Sequence, residues 1–199
     1  MIPVPSDAAS DSEASVYPPG DLAIWFFILA ELLAFAVFFL AYAFARARHV
    51  ELFNAMQAQV DRNAGAANTV LLISGSWCVA RAVAAVTVAG DSQRGARWLA
   101  GGIFCGLGFL GVKGFEYAAK FGAGITLSTN TFWMFYLSLT FFHFMHVILG
   151  LVILAVLWVQ TRAGHYGPGR ADGLESGASY WHMVDLVWIV LFPLVYVMR

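Results

Sequence analysis

His143 and His146 stand three residues apart in the string Phe141-Phe142-His143-Phe144-Met145-His146-Val147-Ile148-Leu149-Gly150, inside an apolar run from Thr131 to Val159. Imidazoles exchange protons near neutral pH, ligate metals and hydrogen-bond carboxylates. In hydrocarbon, two of them are costly unless partnered. Glu31, Lys113, Glu116, His182 and Asp185 interrupt other apolar stretches, and Arg81 lies towards the end of one. Ionisable groups at membrane depth face the bundle interior or a water-filled cavity. This set therefore permits a proton or ion path, a metal or haem site, or polar contacts between helices that satisfy one another.

The spacings narrow each option. Helical periodicity puts Tyr136, Leu139, His143, His146 and Gly150 on one face, which predicts that this face looks into protein. Two histidines at i, i+3 can ligate one metal, but a site needs further ligands at the same depth, and only His182 and Asp185 are available. A bis-histidine haem would need histidines on facing helices. The other reading has both imidazoles bonded to carboxylates or carbonyls on neighbouring helices. Lys113 and Glu116 are three apart and can pair with each other. Glu31 has no basic neighbour on its own helix, so it is either a protonatable site near a proton route or lipid pocket, or a protonated carboxyl bonded within the bundle. Glu31→Gln is then near-isosteric and costs little stability. His182 and Asp185 at i, i+3 form either a proton-linked dyad or an interfacial pair flanked by belt residues Trp181 and Trp188. No set of nucleophile, base and orienting group, no phosphate loop and no cysteine cluster is legible. No catalytic, cofactor-binding or metal-binding residue is assigned.

The elements that must position these groups are membrane spans. The 199 residues are 60% hydrophobic and 12% charged, about half the charged fraction of a soluble domain. The fold class is an all-α integral membrane protein, a bundle of five transmembrane helices over about 22–45, 68–90, 98–119, 131–159 and 180–198, each meeting the length a bilayer requires. The 131–159 segment exceeds that need and must tilt or protrude. Residues 1–20 read as a disordered polar arm without the pattern of a signal peptide, and 21–199 as the membrane domain, with Asp21 placed to cap the first span. A short amphipathic helix around Glu51–Val60 is expected in the first polar connection. Residues 91–97 read as a tight charged turn that makes spans two and three antiparallel neighbours. Ser74-Gly75-Ser76 and the Gly102-xxx-Gly106 pattern suit close helix approach. Cys78 and Cys105 read as small core residues, not a disulfide or zinc pair. With a net charge of −1, nothing suggests a nucleic-acid partner or a polybasic lipid clamp, and no nucleic acid is expected. Loop cations divide four to five between the two sides (Arg94, Arg97, Arg162, Arg170 against Arg46, Arg48, Arg62, Lys120, Arg199), too even for orientation by the positive-inside rule.

Five blocks, in order, resemble cytochrome c oxidase subunit III. Ala30-Glu31 is similar to that family's buried-glutamate helix, and Asn68-Thr69-Val70-Leu71-Leu72 to its Asn-Thr-x-x-Leu helix start. Glu116-Tyr117 resembles its Glu-Tyr helix ending, and His143-Phe144-Met145-His146-Val147 its His-x-x-His-Val helix. The string 175–188, containing Tyr180-Trp181-His182-Met183-Val184-Asp185, resembles the signature of its last helix. Mitochondrial members have seven helices; five resembles the shorter bacterial type. Val112-Lys113-Gly114-Phe115-Glu116-Tyr117, the string 124–130 and Trp181–Leu186 look most like the branch associated with nitric oxide reductase, called NorE.

The resemblance implies an accessory, non-redox subunit of a haem-copper respiratory complex, with no catalytic centre of its own. Haem and copper would reside in a catalytic subunit I-like partner. Bound phospholipid would occupy a cleft, and the subunit would support assembly and sustained proton uptake during aerobic or nitric oxide-linked electron transport. Glu31, Glu116, His143, His146, His182 and Asp185 would line the internal polar cluster and lipid cleft, with Lys113, Trp181 and Trp188 pairing or interfacial. The resemblance also implies a bacterial cytoplasmic membrane, with the N-terminus cytoplasmic and the C-terminus periplasmic. A small proton-coupled carrier and a haem-bearing membrane anchor are the readings from other classes; paired repeats would favour the carrier, and none is visible.

Overall fold

The computed structural model describes residues 22–198; the arm over 1–20 and the Asp21 cap lie outside the described residues. Six α-helices follow in order: α1 Leu22–Arg48, α2 Val50–Gln57, α3 Arg62–Thr87, α4 Ser92–Gly122, α5 Thr131–Arg162 and α6 Asp172–Phe192, which runs into a π-helical turn, Pro193–Val197. All but the short α2 are long and apolar enough to cross a membrane. Helices are the form such sequences must take, because hydrocarbon offers backbone groups no other partner. The chain is thus an all-α multi-pass membrane protein.

Several helices begin earlier than the apolar runs suggested, and the caps explain why. The Asp61 side chain accepts from Asn63 N and Ala64 N at 2.9 and 3.2 Å, starting α3 at Arg62, ahead of Asn68. Asp91 accepts from Arg94 N at 2.8 Å, so most of the expected 91–97 turn is already helix. The reversal itself is confined to residues 88–91, where Gly90 adopts φ +66°. Asn130 caps α5 through Trp133 N at 2.9 Å. The largest difference is α6, which starts at Asp172, well before Tyr180. Its first turns are Gly- and Ser-rich, yet Asp172 and Glu175 there suit the helix dipole. A Cβ on Gly177 would sit 2.5 Å from Leu157 Cδ1, so the small residue is what lets α6 close on α5.

Helices α3, α4, α5 and α6 form a closed ring: α3 packs along α4, α4 on α5, α5 on α6 and α6 back on α3. Between helices in lipid the driving force is close packing and hydrogen bonding, since the tails are as apolar as leucine. Trp181 supplies the packing. Its ring fills a slot left by glycines of three helices: a Cβ at Gly106 would lie 2.7 Å from Trp181 Cη2, one at Gly150 3.0 Å from Cε3, and one at Gly75 3.5 Å from Cζ2. Gly102 serves α3 instead, facing Val79. Trp188 donates its indole N–H to Thr69 Oγ1 at 2.9 Å and meets Phe109 edge-on. Both tryptophans are buried, which corrects the expectation of an interfacial belt: their neighbours are glycines and polar groups inside the ring. Cys78 and Cys105 are free and half-buried at the α3–α4 contact.

Helix α1 stands apart. It touches the ring through Ile28, Phe35 and Tyr42 and leaves Phe26, Leu29, Leu33, Val37 and Leu40 exposed. Its far end is tied down by α2 and the last turn. Gln57 Nε2 donates to Val195 O at 2.8 Å and Arg62 Nε to Tyr196 O at 3.1 Å; Arg46 donates to Met198 O and, at 3.0 Å each, to Gln57 and Asn54. These donors meet carbonyls that a helix end leaves without intrahelical partners.

Candidate functional site: buried polar groups in the bundle

Apart from the exposed Arg81, the ionisable residues picked from the sequence are all partly or fully buried, but they belong to separate hydrogen-bonded groups, not one cluster. The largest is built on Lys113. Its ammonium has three donors, and each finds an oxygen: Glu116 Oε2 at 3.0 Å, Tyr136 OH at 3.1 Å and Tyr196 OH at 2.5 Å. Glu116 Oε1 accepts from Tyr136 and Tyr196. The rings of Tyr117, Tyr136, Tyr196 and Trp188 lie 4.9–5.9 Å from Nζ, adding cation–π contact. Lys113 is fully buried. The Lys113–Glu116 pair was legible from its spacing, whereas Tyr196 was not. The one local signal was Pro193, which opens the π-helical turn that carries Tyr196.

The second group joins α1 to α5. His146 Nδ1 lies 2.7 Å from Phe142 O, one turn back, and Nε2 lies 2.9 Å from Glu31 Oε2. A carbonyl oxygen can only accept, so Nδ1 carries a hydrogen. Nε2 and the carboxyl then hold one proton between them, as carboxylic acid facing imidazole or as carboxylate facing imidazolium; both arrangements have zero net charge. The Phe35 and Phe142 rings close on the imidazole at 5.1 and 4.6 Å. Unlike Lys113, this pair is partly open, with side-chain exposures of 11% for His146 and 23% for Glu31.

His143 turns the other way, with Nε2 3.0 Å from Val184 O on α6, which fixes that nitrogen as the donor. The two α5 histidines therefore diverge and share no metal. Among the described residues, no three His, Cys, Asp or Glu side chains gather in one place. The expected His182–Asp185 pair also does not form. His182 Nδ1 bonds Ser76 Oγ at 2.5 Å, on α3. Ser76 also faces the Asp185 carboxyl, whose Oδ1 is buried without a protein partner. The sequence pointed to Ser76 only as a small residue for helix approach; its hydroxyl is what separates the pair.

Beside the Glu31–His146 pair, α1, α4 and α5 border a half-open apolar cavity of ≈ 520 Å³ lined by Phe38, Tyr117, Leu137, Phe141, Phe142 and Met145. Phe142 links the two, since it lines the cavity with its ring and holds His146 with its carbonyl.

Comparison with known families decides what these groups belong to. The family model for cytochrome c oxidase subunit III matches residues 12–199. The chain belongs to that family. It is 34% identical over 181 residues to cytochrome c oxidase subunit 3 of Thermostichus vulcanus, covering 89% of this chain and 86% of that protein. It is 32% identical over 209 residues to the Synechocystis sp. subunit 3, covering 98% and 88%. The Marchantia polymorpha subunit 3 matches at 35% over 129 residues, 65% of this chain and 47% of that longer protein. Within the cytochrome c oxidase subunit III family, then, the polar groups above sit in a five-span subunit of respiratory-oxidase type.

Proposed function

We propose that this subunit III-like chain is an accessory, non-redox member of a haem-copper respiratory complex in a bacterial cytoplasmic membrane. It packs beside a subunit I-like catalytic partner and supports assembly, lipid retention and sustained proton uptake. Haem and copper belong to the partner, and electrons pass through it. The N-terminus is cytoplasmic and the C-terminus periplasmic. The observation that carries this reading is the family match across all five spans, together with a proton-sharing pair that joins α1 to α5.

In this reading Glu31 and His146 hold one proton at the edge of the bundle, beside an apolar cavity that takes a phospholipid acyl chain. The pair passes from one neutral arrangement to the other by moving its proton a fraction of an ångström. That moves the proton between α1 and α5 without leaving a net charge in lipid; release of a proton from the pair must be matched by uptake of another for it to stay neutral. The Lys113 group is closed to this exchange and holds α4, α5 and the last turn in place.

The test compares the partner complex purified with and without this chain. The reading expects similar initial electron-transfer rates, with faster loss of activity during turnover and fewer retained phospholipids when the chain is missing. Equal lifetimes and equal lipid content would defeat it. The NorE-like strings around Lys113 and His182 favour a second partner, a nitric oxide-reducing one; nitric oxide consumption without oxygen consumption by the purified complex would select it.

A further inference from the structure

The outer face of the α3–α4 hairpin carries cations that the groups above do not use. Arg81 is exposed, six residues before the end of α3 at Thr87, or about 9 Å along the axis. Its guanidinium stands 5.9 Å from the Trp98 ring centroid, and Trp98 meets Trp77 edge-on at 5.0 Å. Trp77 is 57% exposed. On α3, Arg81 is one turn nearer the water than Trp77; on α4, Arg94 is one turn nearer the water than Trp98, on the same stripe. Among the described residues neither arginine has a carboxylate partner. Asp91, the acid of the hairpin, points its side-chain oxygen at the backbone N–H of Arg94 as a helix cap. A guanidinium at this depth without a counter-ion is costly.

We infer that this face binds one anionic phospholipid, with its headgroup phosphate between Arg81 and Arg94 and the upper part of an acyl chain against the Trp77–Trp98 pair. The guanidinium fork matches phosphate geometry and can engage two oxygens at once. Trp77 stands ten residues before the end of α3, about 15 Å along the axis, so the ring pair lies below the two arginines and offers an apolar wall just inside the headgroup level. Arg81 lies close enough to the helix end to reach that level. Further into the membrane, Phe104 is 75% exposed and continues the apolar surface along which an acyl chain would lie. An acidic residue of a partner chain could also neutralise Arg81, but it would not account for the exposed tryptophan pair or the second arginine towards the water.

Native mass spectrometry of the full-length chain, with phosphatidylglycerol or phosphatidylcholine added to the detergent, tests this. The wild-type chain should retain phosphatidylglycerol in preference to phosphatidylcholine. Arg81→Gln should weaken phosphatidylglycerol retention about fivefold, Arg94→Gln less, and Arg81→Lys should keep most of it. Thermal unfolding of Arg81→Gln should match wild type, because the side chain is exposed and supports no buried group. Equal retention of the two lipids by wild type, or unchanged phosphatidylglycerol binding by Arg81→Gln, would overturn the site. Loss of a co-purifying protein from Arg81→Gln with lipid binding intact would assign the arginine to a partner's carboxylate instead.

Discussion

Two ionisable pairs in this bundle behave as opposites in the structure. Lys113 and Glu116 lie one helical turn apart on α4 and are enclosed by rings from four residues, with every ammonium donor used. Glu31 and His146 come from different helices, α1 and α5, and remain partly open beside an apolar cavity. The first pair is complete without any group from outside. The second shares a single proton and sits where α1 meets the ring most thinly. The contrast teaches that burial of a charge does not mark a functional site. What distinguishes the two is whether the hydrogen-bonding capacity is closed, and how closely the elements carrying it pack on the rest of the bundle.

Breaking the closed pair should have the largest effect. Glu116→Ala strands the Lys113 ammonium in the bundle and should destabilise the chain by about 3–5 kcal/mol, read as a fall in unfolding midpoint and in yield of folded protein. The double variant Lys113→Met/Glu116→Leu removes both charges and should recover much of that loss. If the double variant is as damaged as the single, the pair is not acting as an ion pair. Gly106→Ala should cost about 1–3 kcal/mol, because its Cβ would meet Trp181 and Leu151 at 2.7 Å. Tyr196→Phe removes one hydroxyl from the Lys113 group and should cost about 1–2 kcal/mol, while loosening the last turn in hydrogen exchange. Glu31→Gln should change stability by less than about 1 kcal/mol, since an amide can still donate to His146 Nε2, yet it should shorten the working life of the complex. An unfolding effect as large as that of Glu116→Ala would erase the distinction between the two pairs.

Much of the bundle was legible because lipid imposes simple rules. Apolar length marks the spans, and a charge within a span must turn inward. The Lys113–Glu116 pair and the inward α5 face followed from helical spacing, and the antiparallel contact of α3 and α4 from the shortness of the connection between them. What the sequence hid were relations between helices. Nothing local to Glu31 names His146 as its partner across more than a hundred residues. Ser76 looked like a packing residue and proved to be the hydroxyl that takes His182 from Asp185. Trp181 and Trp188 have the composition of belt residues, and only the glycines of three other helices reveal that Trp181 is the centre of the core. The early start of α6 was obscured because Gly and Ser read as loop, although there they are the small residues that admit Leu157. The expected last span includes the final turn, but not its π-helical form, whose carbonyls are met by side chains of α1, α2 and α3.

The central claim is that this chain works docked on a redox partner while holding no redox centre itself. Purification of the tagged full-length chain from its native membrane in mild detergent, followed by a reduced-minus-oxidised optical spectrum and separation of the subunits, tests it most directly. The account predicts a co-purifying haem-copper core, with all haem absorbance remaining on that larger subunit after separation. A stoichiometric Soret band on the isolated chain, or a preparation that brings no haem-copper core with it, would contradict the account.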